Sequence, residues 1–250
     1  MRRLLVINPN TSGSVTSLLR THVQAAAGPQ VAVVMATARF GAPYIACEAS
    51  YAVAAHATLD AWAAALAKPG PWPDAVLIGC FGDPGLLALR ESASTPVTGL
   101  AEAAFRAGAA HGRFAIVTGG ERWGPMLQRL AQALGMEGSL AGIHTVQPTG
   151  AELAANPVWA HQLLAQACRD AAKRFGAQAV ILGGAGLAGM AAAIQGVVDV
   201  PVIDSVIAGT QLALGGGLPK PERVAPGFDV PWGNVSAELT GMGQTLTSRI

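Results

Sequence analysis

Apolar and polar positions along this chain follow two alternating rhythms. Short, unbroken apolar runs bounded by glycine or polar turns predict strands over 3–7, 30–35, 75–79, 95–99, 113–117, 142–146, 179–182 and 201–204. Longer stretches rich in Ala and Leu predict helices over 11–27, 50–67, 101–110, 122–134, 156–175 and 205–214. Runs without polar alternation suit parallel strands covered on both faces, and the regular strand–helix alternation implies βαβ units. Thr11-Ser12 offers side-chain oxygens to cap the first helix, and Asp204-Ser205 to cap the last. The stretch from 215 to 250 is rich in Gly and Pro before Ser236 and has no periodic signal; it is expected to wrap the second half of the molecule or to fray.

The pattern also repeats itself. Residues 75–86 read AVLIGCFGDPGL and residues 179–190 read AVILGGAGLAGM, so Ala75/Ala179, Val76/Val180, Gly79/Gly183 and Gly82/Gly186 coincide. Thr95-Pro96-Val97 matches Val200-Pro201-Val202, and the apolar run 4–7 matches 114–117. A strand–turn–helix signal recurring at this distance predicts an α/β fold of two pseudo-symmetric lobes. Each lobe is a four-stranded parallel sheet flanked by helices, and the active site lies in the cleft between them. The first lobe is expected to comprise 1–98 plus 205–250, and the second 99–204. Ligands of such sheets bind beyond the carboxyl ends of the strands. That rule gathers Asn8-Pro9-Asn10-Thr11, the turn 79–83, Thr118-Gly119-Gly120 and the turn 183–186 around one mouth. In the alignment Cys80 stands opposite Gly184: one turn carries a thiol and the other a hydrogen atom.

Composition narrows the function. Hydrophobic residues make up 51% of the 250 and charged residues 12%, the composition of a globular protein that buries a core. A net charge of +1 gives no electrostatic reason to bind nucleic acid or an anionic membrane. The three cysteines, Cys47, Cys80 and Cys168, lack metal-ligand spacing and do not read as a disulfide framework, and no metal is expected. The apolar run near the N-terminus breaks at Asn8-Pro9-Asn10, too soon for a secretion signal, and no run reaches membrane length. A cytoplasmic protein is the expectation.

Cys80 is the residue with the clearest chemistry. A free cysteine is most often a small buried hydrophobe. At a strand end, followed by Phe81-Gly82-Asp83-Pro84-Gly85, the surrounding glycines let backbone N–H groups turn toward an anion. Such a cradle is expected to lower the thiol pKa, fitting Cys80 for proton transfer at a carbon beside a carbonyl while amides hold the enolate oxygen. Asn10 is a turn former that also offers a donor and an acceptor to a ureido or carboxylate group, and Thr118 holds the matching post-strand position of the second half. Cys47, Cys168 and the five histidines fall in no shared motif and are expected to pack or to face solvent. The GGAG run at 183–186 lacks the lysine and spacing of a nucleotide loop.

At INPNTS (7–12), GCFGDPGL (79–86) and PVIDSV (201–206) the chain resembles hydantoin and allantoin racemases of the aspartate/glutamate racemase superfamily. The resemblance covers about 3–215 and implies a cofactor-independent isomerase, commonly oligomeric. In that family two cysteines, one per lobe, act on opposite faces of the substrate stereocentre. Cys80 matches the first, and Gly184 stands where the second is expected. By the same resemblance Asn10, Gly82, Asp83, Thr118, Ala185 and Gly186 line the substrate pocket, with Phe40 and Tyr44 shaping its apolar side. The expected activity is therefore racemisation or epimerisation at the α-carbon of a hydantoin-like or ureido compound. Two alternatives stay open: a single-cysteine decarboxylation or other one-base reaction through an enolate, and silent binding of a small molecule.

Overall fold

The computed structural model describes residues 1–148, 150–218, 228 and 230–242. Its backbone forms two four-stranded parallel sheets. The first contains β1 (Arg2–Asn8), β2 (Val31–Thr37), β3 (Ala75–Ile78) and β4 (Val97–Gly99) in the order β2-β1-β3-β4. The second contains β5 (Phe114–Gly119), β6 (Leu140–Val146), β7 (Ala179–Gly183) and β8 (Val202–Asp204) in the order β6-β5-β7-β8. The internal repeat is reproduced in the pairing register. Leu4 sits beside Ala75 as Phe114 sits beside Ala179, and Val76 beside Val97 as Val180 beside Val202. The central strands β3, β5 and β7 are buried along their whole length, as their unbroken apolar runs require, whereas the edge strand β2 is half-buried throughout.

The predicted helices are present as α1 (Gly13–Ala27), α2 (Glu48–Leu66), α4 (Leu100–Ala109), α5 (Trp123–Ala133), α7 (Pro157–Phe175) and α9 (Ser205–Leu214). Ser12 Oγ accepts the Val15 amide at the start of α1, and Asp204 accepts the amides of Val206 and Ile207 at the start of α9. Periodicity missed the short helices α3 (Leu86–Ser92), α6 (Gly150–Ala155), α8 (Met190–Ile194) and α10 (Ala237–Thr240). None exceeds two turns, too short to show an apolar stripe. The expected strand at 95–99 is shorter at its start, because Pro96 has no N–H to give a ladder.

Among the described residues, three cores hold the fold. One lies outside the first sheet around Trp62 and Leu89, and one outside the second around Leu164 and Ala171. The third lies between the sheets and draws on both, with Leu4, Leu77 and Phe105 meeting Phe114, Ile181 and Val206. Its centre is an aromatic chain: Phe81 meets Phe105 edge-on at 6.1 Å, and Phe105 stacks on Phe114 at 5.5 Å. Helix α4 follows β4 yet packs on β7, whereas α9 follows β8 and packs on α1, α4 and β3. The described part of the C-terminal stretch corrects the expectation that it wraps the second half. Phe228 packs on Trp62 at 6.1 Å, Leu239 and Met242 join the core of the first sheet, and Glu238 pairs with Arg39. Whether the stretch frays concerns residues 219–227, 229 and 243–250, outside the described residues.

Candidate active site

The carboxyl ends of β1, β3, β5 and β7 open onto a cavity of about 430 Å³. Of the residues expected there, the structure brings together Asn10, Tyr44, Cys80, Thr118, Gly184, Ala185 and Gly186. Three others lie elsewhere. Phe40 stacks edge-on against His56 at 4.9 Å and lines a separate pocket with Arg39 and Asp60, because the chain turns between it and Tyr44. Gly82 is behind the cavity wall: a Cβ there would lie 2.5 Å from the Trp123 ring, and its carbonyl accepts the Tyr51 hydroxyl at 2.8 Å. Asp83 points away altogether, accepting the amides of Ala101 at 2.9 Å and Glu102 at 2.7 Å at the start of α4.

Asn10 owes its place to a buried knot. Asn8 Nδ2 donates to Asn10 Oδ1 (2.9 Å), the Ser12 carbonyl (3.0 Å) and Thr16 Oγ1 (3.0 Å), which pins the loop between β1 and α1. Ser12 N also donates to Asn10 Oδ1. Both acceptor positions of the Asn10 carbonyl are therefore spent within the loop. Contrary to the expectation of a donor and an acceptor, Asn10 offers the cavity only its NH2 group, suited to a carbonyl or enolate oxygen. Thr118 belongs to β5 itself rather than to the turn after it.

Cys80 follows a tight strand end. Gly79 N donates to the Ile7 carbonyl at 2.7 Å, and a Cβ on Gly79 would lie 2.7 Å from Leu19. The Cys80 carbonyl accepts the amides of Gly82 and Asp83, each at 3.1 Å, closing the turn. The expectation of a lowered thiol pKa is overturned. Burial pushes the thiol well above its usual range, and the charge of Asp83 adds to the rise. Among the described residues, the cavity wall holds no lysine, arginine or histidine to oppose this. Burial thus favours Cys80 as a neutral thiol, a proton donor before it is a base.

The opposite turn is built differently. Gly184 has φ +146, a conformation closed to most side chains, and its N–H reaches Ser205 Oγ at 3.2 Å. A Cβ there would meet only Leu187, at 3.5 Å, so torsion rather than space holds this position to glycine. Its neighbour Gly183 is glycine for want of space, since the Phe81 ring lies where a Cβ would be. Among the described residues, the amides of Ala185 and Gly186 find no protein acceptor and open the short 3-10 turn Ala185–Leu187 at the cavity.

Sequence reasoning missed Val15, Leu18, Ile45, Trp123 and Leu187 as cavity walls. Val15 and Leu18 carried a usable signal: they repeat at helical spacing just after the Asn10 loop, so one face of α1 had to meet the mouth. Trp123 had none, because it reaches the site from the far side of Gly120. Cys47 caps α2 through Ser50, and Cys168 is buried, its thiol pushed up to about 12 by desolvation. Among the described residues no group of His, Cys, Asp and Glu could hold a metal ion, and no helix is long and apolar enough to cross a membrane.

The family model for Asp/Glu/hydantoin racemases matches residues 4–213. Hydantoin racemase from Paenarthrobacter aurescens is 32% identical over 213 residues, covering 84% of this chain and 89% of its own. Hydantoin racemase from Pseudomonas sp. (strain NS671) is 30% identical over 214 residues, covering 84% of both chains. The structure of allantoin racemase from Klebsiella pneumoniae superposes with a TM-score of 0.81 at 30% identity, over 97% of this chain and 99% of that one.

Proposed function

This chain belongs to the Asp/Glu/hydantoin racemase family, and we propose that it moves a proton at the α-carbon of a neutral hydantoin-like ureide, with Cys80 as its acid/base. The observation that carries this reading is the chemistry of the cavity. Among the described residues, Cys80 and the Tyr44 phenol are the only titratable side chains on its wall, and the remainder is apolar or neutral. An amino acid or a malonate would enter without a counter-charge, at a desolvation cost a neutral ring does not incur. Val15, Leu18, Ile45 and Leu187 suit an apolar substituent, and Asn10 Nδ2 with the amides of Ala185 and Gly186 suits ring carbonyls.

Proton transfer then runs on the face that Cys80 commands. The thiolate, once formed, takes the α-proton, and the three N–H donors stabilise the enolate oxygen. The thiol returns the proton to the same carbon. Gly184 supplies no proton on the far face, so inversion needs a solvent proton there. In a second reading, Cys80 only protonates an enolate formed by loss of carbon dioxide. The neutral thiol favours it, and the want of a counter-charge for a malonate among the described walls opposes it. Free thiols at all three cysteines, and the need to keep Cys80 reduced, support a cytoplasmic setting. We assign a homo-oligomer by analogy with the family.

Proton NMR of enantiopure 5-substituted hydantoins and allantoin in D2O, with optical rotation followed in parallel, tests the proposal. Exchange above the uncatalysed rate supports it. Exchange with retained rotation marks one-faced chemistry, and exchange with lost rotation marks a proton source on the Gly184 face. No exchange, with carbon dioxide released from an arylated malonate, transfers the assignment to the second reading.

A further inference from the structure

The two turns are joined to their helices by carboxylates placed at opposite ends of the same joint. In the first lobe the turn supplies it: Asp83, φ +52, sends both oxygens to the amides of Ala101 and Glu102, the first turn of α4. In the second lobe the matching turn residue is Leu187, and the strand end supplies the carboxylate. Asp204 accepts Val206 and Ile207 at the start of α9, and its other oxygen reaches back to the Gly189 amide of the turn at 2.7 Å. The position matching Asp204 is Gly99, for Ile78 pairs with Gly99 as Leu182 pairs with Asp204. A Cβ on Gly99 would lie 2.1 Å from the Asp83 carboxyl carbon. One joint thus accepts one carboxylate, from either side.

The choice of side matters at Cys80. We propose that Asp83 is a positioning residue for the acid/base: it latches the Cys80 turn to α4 and places a buried negative charge beside the thiol, where the second lobe has Leu187. The proposal rests on the reading of Cys80 as acid/base. Helix α4 packs on β7, the strand that ends at Gly183 just before Gly184, so the latch also ties the thiol turn to the opposite wall. The groups that face Asp83 are Cys80 on its own turn, Tyr51 on α2 and Glu102 on α4. Arg90 and Arg106 are occupied by Glu102. None brings a free positive charge, so once Asp83 is ionised, above about pH 7, its charge adds to burial in holding Cys80 as the protonated donor.

Pulsed iodoacetamide labelling with peptide mapping, across the neutral and alkaline range, reads Cys80 apart from Cys47 and Cys168 and needs no substrate. Asp83→Asn keeps one acceptor and the shape but removes the charge. Cys80 in that variant is expected to label on the order of tenfold faster at mildly alkaline pH, with its profile displaced to lower pH. An unchanged profile in a folded Asp83→Asn protein overturns the proposal. The paired exchange Asp83→Gly with Gly99→Asp keeps the test decisive if Asp83→Asn fails to fold. It is expected to recover most of the thermal stability lost by Asp83→Gly alone, and failure to recover it overturns the latch. Hydantoin exchange in D2O is read separately: a displaced labelling profile without exchange in the wild type leaves the role of Asp83 standing and removes the substrate assignment.

Discussion

The turns after β3 and β7 begin alike and end alike, and differ only between. Gly79 and Gly183 close their strands, and Gly85 and Gly189 open the next helices at nearly the same angle, φ +83 and +82. Between them the first turn carries Cys80 on ordinary backbone, tied down by the amides of Gly82 and Asp83, with Phe81 thrown across the cleft onto Gly183. The second turn carries Gly184 at φ +146, hung on Ser205, with nothing thrown back. One repeated scaffold thus carries two different positions. One face of the cavity presents a thiol, and the other has a backbone that only glycine enters comfortably.

Removing the thiol is the most direct way to break this asymmetry. Cys80→Ala is expected to lower α-proton exchange by about 10²–10⁴-fold, the usual share of a positioned acid/base. NMR in D2O measures it, and exchange at the wild-type rate would relocate the chemistry. Phe105→Ala attacks what the lobes share. It empties the middle of the Phe81–Phe105–Phe114 chain and is expected to cost about 3–5 kcal/mol in chemical denaturation. A loss below about 1 kcal/mol would mean that the core between the sheets does not unite them.

Restoring symmetry is expected to be harder than its single atom of sulfur suggests. Gly184→Cys has room but the wrong torsion, so it is expected to lower stability by about 1–3 kcal/mol, and Gly184→Ala by a similar amount. If both variants melt like the wild type, the second turn is freer than φ +146 implies, and a second thiol there should speed the loss of optical rotation. Asp83 adds a pH signature confined to the first lobe. Burial pushes its carboxyl up to about 7, against the amides of Ala101 and Glu102 that pull it down. Because the folded value lies above the unfolded one, stability is greatest below the unfolded value and declines as pH rises through about 7, by up to about 1.4 kcal/mol per unit. Asp83→Asn should flatten that decline, and a slope that survives it belongs to another group. The smallest expected effect is at the rim. Arg129 on α5 pairs with Glu48 on α2, both exposed, and Arg129→Ala is expected to cost under about 1 kcal/mol. A larger loss in thermal melts would give this surface bridge a role in holding the lobes.

Chain order and composition determined the α/β class, the two lobes, the four parallel strands of each and the opposition of Cys80 to Gly184. Each of these follows from local periodicity and a repeat, and both are written along the chain. The cavity wall was partly legible for the same reason: Asn10, Thr118 and the turn 183–186 fall at strand ends, and strand ends converge by topology. Tertiary packing alone decided the rest. Asp83 and Gly82 sit in the same loop as Cys80, yet whether they face the cavity depended on α4 and Trp123, which arrive from 18 and 41 residues away in the chain. The state of the Cys80 thiol followed likewise from what surrounds it: sequence offered glycines that suggested an anion cradle, whereas burial and a neighbouring carboxylate hold the proton on. Desolvation and charge act through space, and no spacing along the chain records them.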